Sequence, residues 1–309
     1  MKIIFAGTSD FAVTILDSLY KKGHNIQCVI TQPDRPTGRK KILTPGPVKI
    51  YAGEKDLNIF QPENINTPES INHIISFDTD VFIVAAYGQK IGTELLNFAP
   101  YKAINVHGSL LPELRGAAPI QYSIIRGFRE TGITTMLMNE GMDTGDILLQ
   151  KSIPIDINDN YATLSGKLAH LGGELITKTL DKISEIAPVK QDDGKATKAK
   201  SIKKEDTFID FSADALTVHN LIRGLYPKPN ALCRFEDKTV KLLVSDFLEN
   251  TSENTPGEIK EITKNGIVIY CGKGTLLLKE IQPEGSKAMK AYDFAMGRHL
   301  ACGMKFTNI

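Results

Sequence analysis

The sequence predicts two domains, an α/β domain on a parallel sheet and then a small antiparallel β-barrel. Short apolar runs alternate with amphipathic helical stretches through residues 1–189. A polar, lysine-rich stretch follows, and after it apolar runs of strand length crowd together. A chain of 309 residues is long enough to bury two separate cores.

Residues 2–6 (KIIFA) read as a short buried strand, and 10–22 as a helix opened near Asp10 and closed by Gly23. A strand at 26–31 comes next, then helices near 45–55 and 68–76 and an apolar strand at 81–86 (VFIVAA). The strand 103–107, a helix near 118–127 and a strand at 133–138 continue the alternation, which implies a Rossmann-like parallel sheet covered on both faces. Leu164, Leu168, Leu171, Leu175, Ile176, Leu180 and Ile183 recur at helical spacing across 161–186. Lys190 to Lys204 is polar and nearly free of large apolar residues, which suits a linker. Beyond it, one helix near 212–224 precedes strands at 231–236, 239–247, 257–263, 266–271 and 275–281. Asn265-Gly266 and Gly272-Lys273-Gly274 mark turns between them. Five closely spaced strands point to a barrel of the OB type. The expected division is therefore 1–189, a basic linker 190–205, and 206–309, with no internal repeat.

Charge is balanced at +1 and the apolar fraction is 41%, so a soluble globular protein without a strong global field is expected. No apolar run approaches the ~18–20 residues that span a bilayer. The first strand begins at once, so no signal or transit peptide is expected, and a cytoplasmic location follows. Cys28, Cys233, Cys271 and Cys302 lie far apart, with no Cys-x-x-Cys pair and no histidine at metal-finger spacing; free thiols and no metal are expected. Two segments stand out electrostatically. Residues 32–49 carry five cations (Arg35, Arg39, Lys40, Lys41, Lys49) against Asp34 alone, and 190–205 carry six lysines against three acids. Local cationic segments on a neutral body point to a polyanion met at particular places.

The chemistry concentrates in Asn105-Val106-His107-Gly108-Ser109-Leu110-Leu111-Pro112. Alternate strand residues share a face, so Asn105 and His107 lie side by side where the strand ends. Ligands of open α/β sheets bind beyond the carboxyl ends of the strands. A donor amide next to an imidazole suits acyl-group chemistry, although a buried polar pair satisfied by nearby backbone has the same pattern. Asp143, in Met142-Asp143-Thr144-Gly145-Asp146, reads either as an Asx-turn or cap, or as a carboxylate that meets His107 and fixes its tautomer. An amide aimed at a developing oxyanion is worth roughly 10²–10³ in rate. Gly7 stands alone where a dinucleotide fingerprint needs three glycines, and no acidic residue closes the second strand; nucleotide-cofactor binding is not expected and Gly7 reads as a tight turn. Arg115 before Gly116-Ala117-Ala118-Pro119 can be functional or an ordinary surface cation. His24, His73, His170, His219 and His299 have no identifiable partner.

The run from Asn105 to Pro112, Arg115-Gly116 and Met142 to Asp146 resembles the formyltransferase family that uses 10-formyltetrahydrofolate. Phe5-Ala6-Gly7-Thr8, Thr31-Gln32-Pro33-Asp34-Arg35-Pro36 and Gly116-Ala117-Ala118-Pro119-Ile120-Gln121 resemble those members that formylate the amino acid on initiator methionyl-tRNA. The likeness covers essentially the whole chain. It implies that Asn105, His107 and Asp143 are the catalytic trio, that Ser109, Leu110, Leu111 and Pro112 help hold the folate, and that Gly38 to Lys41 belong to a loop inserted at the tRNA acceptor end. Arg35, Arg39, Lys40 and Lys41 would then contact tRNA, helped by an OB-like second domain, with no metal and no need for more than a monomer. Two departures are visible. The family's Trp-containing turn reads Leu225-Tyr226-Pro227-Lys228-Pro229-Asn230 in a chain without any Trp, and Ser9 stands where Pro is common. A rival acceptor, an amino-sugar nucleotide, accounts for the trio and leaves the basic loop and second domain without a role. A non-catalytic RNA-binding protein leaves the trio unexplained.

Overall fold

The structure is a computed structural model that describes residues 1–38, 42–248 and 255–309. It divides into two compact units. The first comprises Met1–Pro119, Glu130–Pro154 and Ser165–Ala199, and the second Ile120–Arg129, Ile155–Leu164 and Lys200–Ile309.

In the first unit, β1 (Lys2–Gly7), α1 (Asp10–Lys21), β2 (Asn25–Ile30), β3 (Arg35–Thr37), β4 (Ile42–Thr44), α2 (Pro47–Glu54) and β5 (Ile59–Phe60) follow in turn. After them come α3 (Pro68–Ile75), β6 (Val81–Ala85), α4 (Thr93–Asn97), β7 (Ala103–His107), then α5 (Pro119–Ile125), which beyond Pro119 belongs to the second unit, and β8 (Glu130–Leu137), β9 (Ile147–Pro154) and α6 (Tyr161–Asp181), of which the part from Ser165 belongs to the first. The main sheet has the order β5-β2-β1-β6-β7-β8-β9. The first five of these strands are parallel, as the alternation of strands and helices predicts. The last two are not: β8 runs antiparallel to β7, and β9 antiparallel to β8. The connection from His107 to Glu130 contains only the seven-residue α5. Most of the rest is spent in turns, and the chain re-enters the sheet at the end it left.

Every residue of β6 is buried, as two covered faces require, and α1 turns Phe11, Ala12, Ile15, Leu16 and Leu19 to the core at helical spacing. Thr67 caps α3 by accepting the Ser70 N–H. Gly7 is an extended strand residue and not a turn; a Cβ there would lie 2.6 Å from the Ala12 Cβ and 2.9 Å from the Ala85 carbonyl, so close packing explains the glycine. The edge strand β9 is invisible to apolar periodicity because Gln150, Lys151 and Ser152, three exposed polar residues in a row, interrupt any alternation.

The second unit contains α7 (Ala215–Leu225), β10 (Ala231–Phe235), β11 (Lys238–Leu248), β12 (Ile259–Thr263), β13 (Gly266–Tyr270), β14 (Thr275–Pro283), β15 (Met289–Lys290), α8 (Ala291–Gly297) and β16 (Phe306–Thr307). Its antiparallel sheet has the order β12-β13-β14-β11-β10-β16, with β15 on β14. The two ends of that order meet: Ile259 N–H donates to Met304 O at 2.8 Å, and Phe306 N–H to Gly257 O at 2.8 Å. The curled sheet therefore joins its own edges around one core, as a small OB-like barrel does. The β12–β13 hairpin turns on Lys264 and Asn265, because Thr263 pairs with Gly266. Gly266 is needed in the strand itself, at φ +144°, where a Cβ would lie 1.9 Å from the Leu278 carbonyl. In the turn that lacks the Trp, Asn230 is buried at φ +74° and its N–H donates to Leu225 O at 3.0 Å.

The helix α7 carries two buried polar side chains. Arg223 donates to Asn220 Oδ1 at 2.8 Å and to the carbonyls of Asp159 at 2.7 Å and Asp156 at 3.1 Å, which fastens residues 156–159 to the helix. His219 Nδ1 lies 3.0 Å from Ser245 Oγ, with its ring tilted against Phe247. Burial, with the Arg223 charge nearby, pushes the His219 imidazole below its usual value, against smaller opposing effects of the Ile157 backbone and Asp246. The fold thus favours neutral His219. Its contribution to stability is complete above pH ~6.5 and is lost as pH falls, because the unfolded chain takes up the proton more readily. His219→Gln should therefore lose less stability than the native protein between about pH 7.5 and about pH 5 in chemical denaturation. An equal loss in both proteins would assign the acid sensitivity to other groups.

Candidate active site

The strand β7 lies between β6 and β8, with Asn105 opposite Val84 on one side and Met136 on the other. This pairing fixes the backbone, so Asn105 and His107 project from one face with little freedom. His107 is nearly buried, its side chain 6% exposed. Its Nε2 lies 3.1 Å from the Leu114 carbonyl oxygen. A carbonyl can only accept, so Nε2 carries the hydrogen and Nδ1 is the nitrogen left to take up or give a proton.

Nδ1 faces Asp143. The chain reaches Asp143 through residues 138–146 between β8 and β9, a loop started where Met138 N–H donates to Ala103 O at 2.8 Å. Asn139 Oδ1 accepts from Gly141 N–H and the Thr144 hydroxyl, which folds the loop on itself. Asp143 sits at φ +52°, a left-handed conformation that Asp tolerates better than most residues. Its Oδ1 lies 3.4 Å from Asn105 Nδ2 and 3.7 Å from His107 Nδ1, and its Oδ2 accepts the Gly116 N–H at 2.8 Å. The Asx-turn and cap readings fail, since both carboxylate oxygens engage groups more than 25 residues away in sequence. The expected division of labour also needs correction. The Leu114 carbonyl sets the tautomer of His107, and the Asp143 carboxylate stands within ion-pair range of the other nitrogen, beyond hydrogen-bond distance.

The turn that supplies Leu114 and Gly116 is unusual in its backbone. Leu114 has φ +59° and Gly116 φ +125°, and a Cβ on Gly116 would lie 2.4 Å from the Ala199 carbonyl, so only glycine fits. Residues 197–199 run alongside as a short parallel bridge: Leu114 N–H donates to Thr197 Oγ1, Arg115 N–H to Thr197 O, and Ala199 N–H to Arg115 O, all at 2.8–2.9 Å. These residues belong to the lysine-rich stretch and form part of the first unit.

Ser109, Leu110, Leu111 and Pro112 form the preceding turn. Ser109 and Leu111 are buried, and the polar groups of this turn are used internally: Ser109 Oγ donates to Glu113 O at 2.6 Å. The Thr134 hydroxyl donates to Ser109 O and accepts from Leu111 N–H and Gln150 Nε2. Leu110 occupies space left by Gly132, and the Leu111–Pro112 bond is cis. Of the basic candidates, Arg35 is exposed on β3, 3.5 Å from Glu63, while Arg39, Lys40 and Lys41 lie outside the described residues. Lys49 is paired to Asp34 at 2.7 Å, beside Gln61, and braces the base of the β3–β4 hairpin.

Sequence reasoning missed Thr134, Gln150, Thr197 and Gln191, and the Leu114 carbonyl as the partner of His107. A backbone carbonyl leaves no mark on residue identity, and Gln191 sits in a run whose lysines and acids read as solvent-exposed. A concavity of about 340 Å³ on the side of the 138–146 loop toward α4 is lined by Thr93, Leu96, Met138, Glu140 and Asp146 among others, and by none of the trio. No cluster of metal-ligating side chains is present among the described residues. Nor, among them, is any helix long and apolar enough to cross a membrane. Cys28 and Cys271 are buried, their thiols pushed up to about 12 by burial; Cys233 is buried and raised as well, and Cys302 is exposed. The constellation joins an amide donor, an imidazole with one nitrogen available, and a carboxylate whose side chain is 15% exposed. Such a set can stabilise an oxyanion and move a proton, as acyl transfer to an amine requires.

Comparison with known proteins agrees with this chemistry. Residues 1–180 match the formyl transferase model and 201–299 the formyl transferase C-terminal domain. The methionyl-tRNA formyltransferases of Bacillus licheniformis and Bacillus subtilis are each 42% identical to this chain. The first aligns over 98% of this chain and 97% of its own length, the second over 98% and 96%. Among solved structures, the Helicobacter canadensis N-formyltransferase in complex with folinic acid and dTDP-3-aminofucose shares the fold. Its TM-score is 0.69 at 20% identity, over 90% of this chain and 98% of that one. HypX from Aquifex aeolicus in complex with tetrahydrofolic acid has a TM-score of 0.66 at 15% identity, over 96% of this chain and 47% of that one. The chain belongs to the formyl transferase family, and relatives aligned with it over nearly their full length include methionyl-tRNA formyltransferases.

Proposed function

We infer that this chain transfers the formyl group of 10-formyltetrahydrofolate to the α-amino group of initiator methionyl-tRNA. The observation that carries the reading is the convergence of Asn105, His107 and Asp143 within 3.4–3.7 Å, in a chain 42% identical to methionyl-tRNA formyltransferases over nearly its full length. The reaction breaks the bond from folate N10 to the formyl carbon and forms a bond from that carbon to the amine. The amine loses one proton overall, and N10 gains one.

An α-amino group titrates near pKa ~8, so a useful share is neutral at pH 7 and no strong base is needed. Alignment of amine and formyl carbon supplies the larger part, roughly 7–11 kcal/mol in favourable cases. Asn105 has one amide hydrogen directed at Asp143 and a second left for the oxyanion of the tetrahedral intermediate. His107 handles the proton through Nδ1, since Nε2 is committed to Leu114 O. Asp143 holds the Asn105 amide and stabilises positive charge on His107. The internal bonding of Ser109 and Leu111 supports a shaping role, with half-buried Leu110 and Pro112 forming the folate-side surface of that turn. Arg35, Arg39, Lys40 and Lys41 are proposed to meet the tRNA backbone, and an aminoacyl-tRNA acceptor sets the reaction in the cytoplasm.

The deciding assay supplies 10-formyltetrahydrofolate with either methionyl-tRNA or a set of amino-sugar nucleotides. Formylation of the tRNA is expected, and formylation of a sugar alone would replace this reading. Asp143→Asn, which keeps size and removes charge, should lower kcat about 10²-fold or more while the melting curve stays near that of the native protein. An unchanged kcat would return Asp143 to a purely structural role. Arg39→Ala should raise the KM for tRNA several-fold, flatten its dependence on salt by about one charge, and leave the KM for folate nearly constant. Equal changes in both KM values would make the loop structural.

A further inference from the structure

We propose that Gln191 is a positioning residue for formyl transfer, holding Asp143 in its working orientation from a segment that contributes no side chain to the trio. The role assigned here rests on the reading that Asp143 serves formyl transfer; the geometry stands without it. Gln191 Nε2 donates to Asp143 O at 2.9 Å and to Gly145 O at 2.7 Å, and its Oε1 accepts from Arg115 Nε at 2.9 Å. The amide orientation is unambiguous, because two carbonyls can only accept and an arginine Nε can only donate. Both amide hydrogens and the oxygen are therefore engaged.

These contacts close a ring. From the Asp143 carbonyl the path runs through Gln191 to the Arg115 side chain, along the backbone to Gly116, and from the Gly116 N–H back to the Asp143 carboxylate. Arg115 is held in turn by Asp193 at 2.7 Å through Nη2, and its backbone is bracketed by Thr197 and Ala199. Asp143 needs such support. It lies in a left-handed conformation on a loop between two strands, and its Oδ1 must sit between Asn105 and His107. Without Gln191 the carbonyls of residues 143 and 145 lose their side-chain donor, and the other ties of the loop, from Ala103 to Met138, Thr93 to Glu140 and Leu137 to Asp146, leave the backbone at Asp143 itself unheld. A misplacement of about 1 Å in a reacting constellation costs on the order of 10²-fold in rate.

Gln191→Glu tests this with almost no change in shape, since a carboxylate keeps the Arg115 contact and cannot donate to the two carbonyls. The expected results are a kcat about 10- to 100-fold lower, KM values for both substrates within about threefold, and a melting curve close to native. Gly116 gives a readout independent of turnover: its amide should exchange with deuterium about tenfold faster or more in Gln191→Glu, as the Asp143 acceptor moves away. In an Asp143→Ala background, the same Gln191→Glu change should alter the residual rate by less than about twofold, because the group it positions is gone. A full rate loss in that background, or an unchanged Gly116 exchange rate, would overturn the proposal. Gln191→Ala provides a second variant should the glutamate fold poorly. If the native protein formylates no methionyl-tRNA, the functional reading fails, and Gly116 exchange still decides whether Gln191 positions Asp143.

Discussion

The Leu114 carbonyl, 3.1 Å from His107 Nε2, and the Gly116 N–H, 2.8 Å from Asp143 Oδ2, come from residues two apart in one turn. The acceptor dictates which imidazole nitrogen is protonated, and the donor dictates which carboxylate oxygen is free to face Asn105 and His107. A backbone group cannot rotate away as a side chain can, so both orientations are as rigid as the turn. The left-handed backbone of Leu114 costs conformational energy, which residues 197–199 offset by five hydrogen bonds to residues 112–118.

The sheet topology makes this turn possible. The reversal at β8 sends the chain back beside β7 instead of across the sheet. Residues 108–118 are thereby left as one continuous wall over the end of β7, and residues 138–146 fold toward the same face. Thr134, opposite His107 on β8, ties the Ser109 and Leu111 backbone to the sheet through one hydroxyl with three partners. The deeper β6 contributes only apolar bulk, and the polar chemistry is concentrated on the last parallel strand.

Much of this was legible in the sequence because burial leaves a periodic trace. The strands β1, β6 and β7 read as apolar runs, and α1 and α6 as helical stripes. Asn105 and His107 were visible because polar residues in a buried strand are costly without a purpose. Strand direction was not legible, since antiparallel β8 has the same residue pattern as a parallel strand would. The edge strands β5, β9 and β16 were hidden by their short length or by a run of exposed polar residues. The long-range partners of His107 and Asp143 were hidden for a different reason: a carbonyl, an N–H and a glutamine in a polar run carry no periodicity at all. The hairpin at Asn265-Gly266 was readable as a turn, yet its register was set by how closely the Leu278 backbone approaches Gly266.

The bridge between residues 114–118 and 197–199 separates two boundaries that are easily equated. The side chains of the trio end at residue 143, and the last strand of the main sheet ends at Pro154. The bonds that keep the trio in register extend to Ala199. A fragment ended at residue 189 would retain Asn105, His107, Asp143 and the whole sheet, yet the turn over β7 would be free to relax toward right-handed backbone. Minimal versions of this fold meant for ligand screening or transplantation into other proteins must therefore carry the ten residues 190–199 along with the sheet.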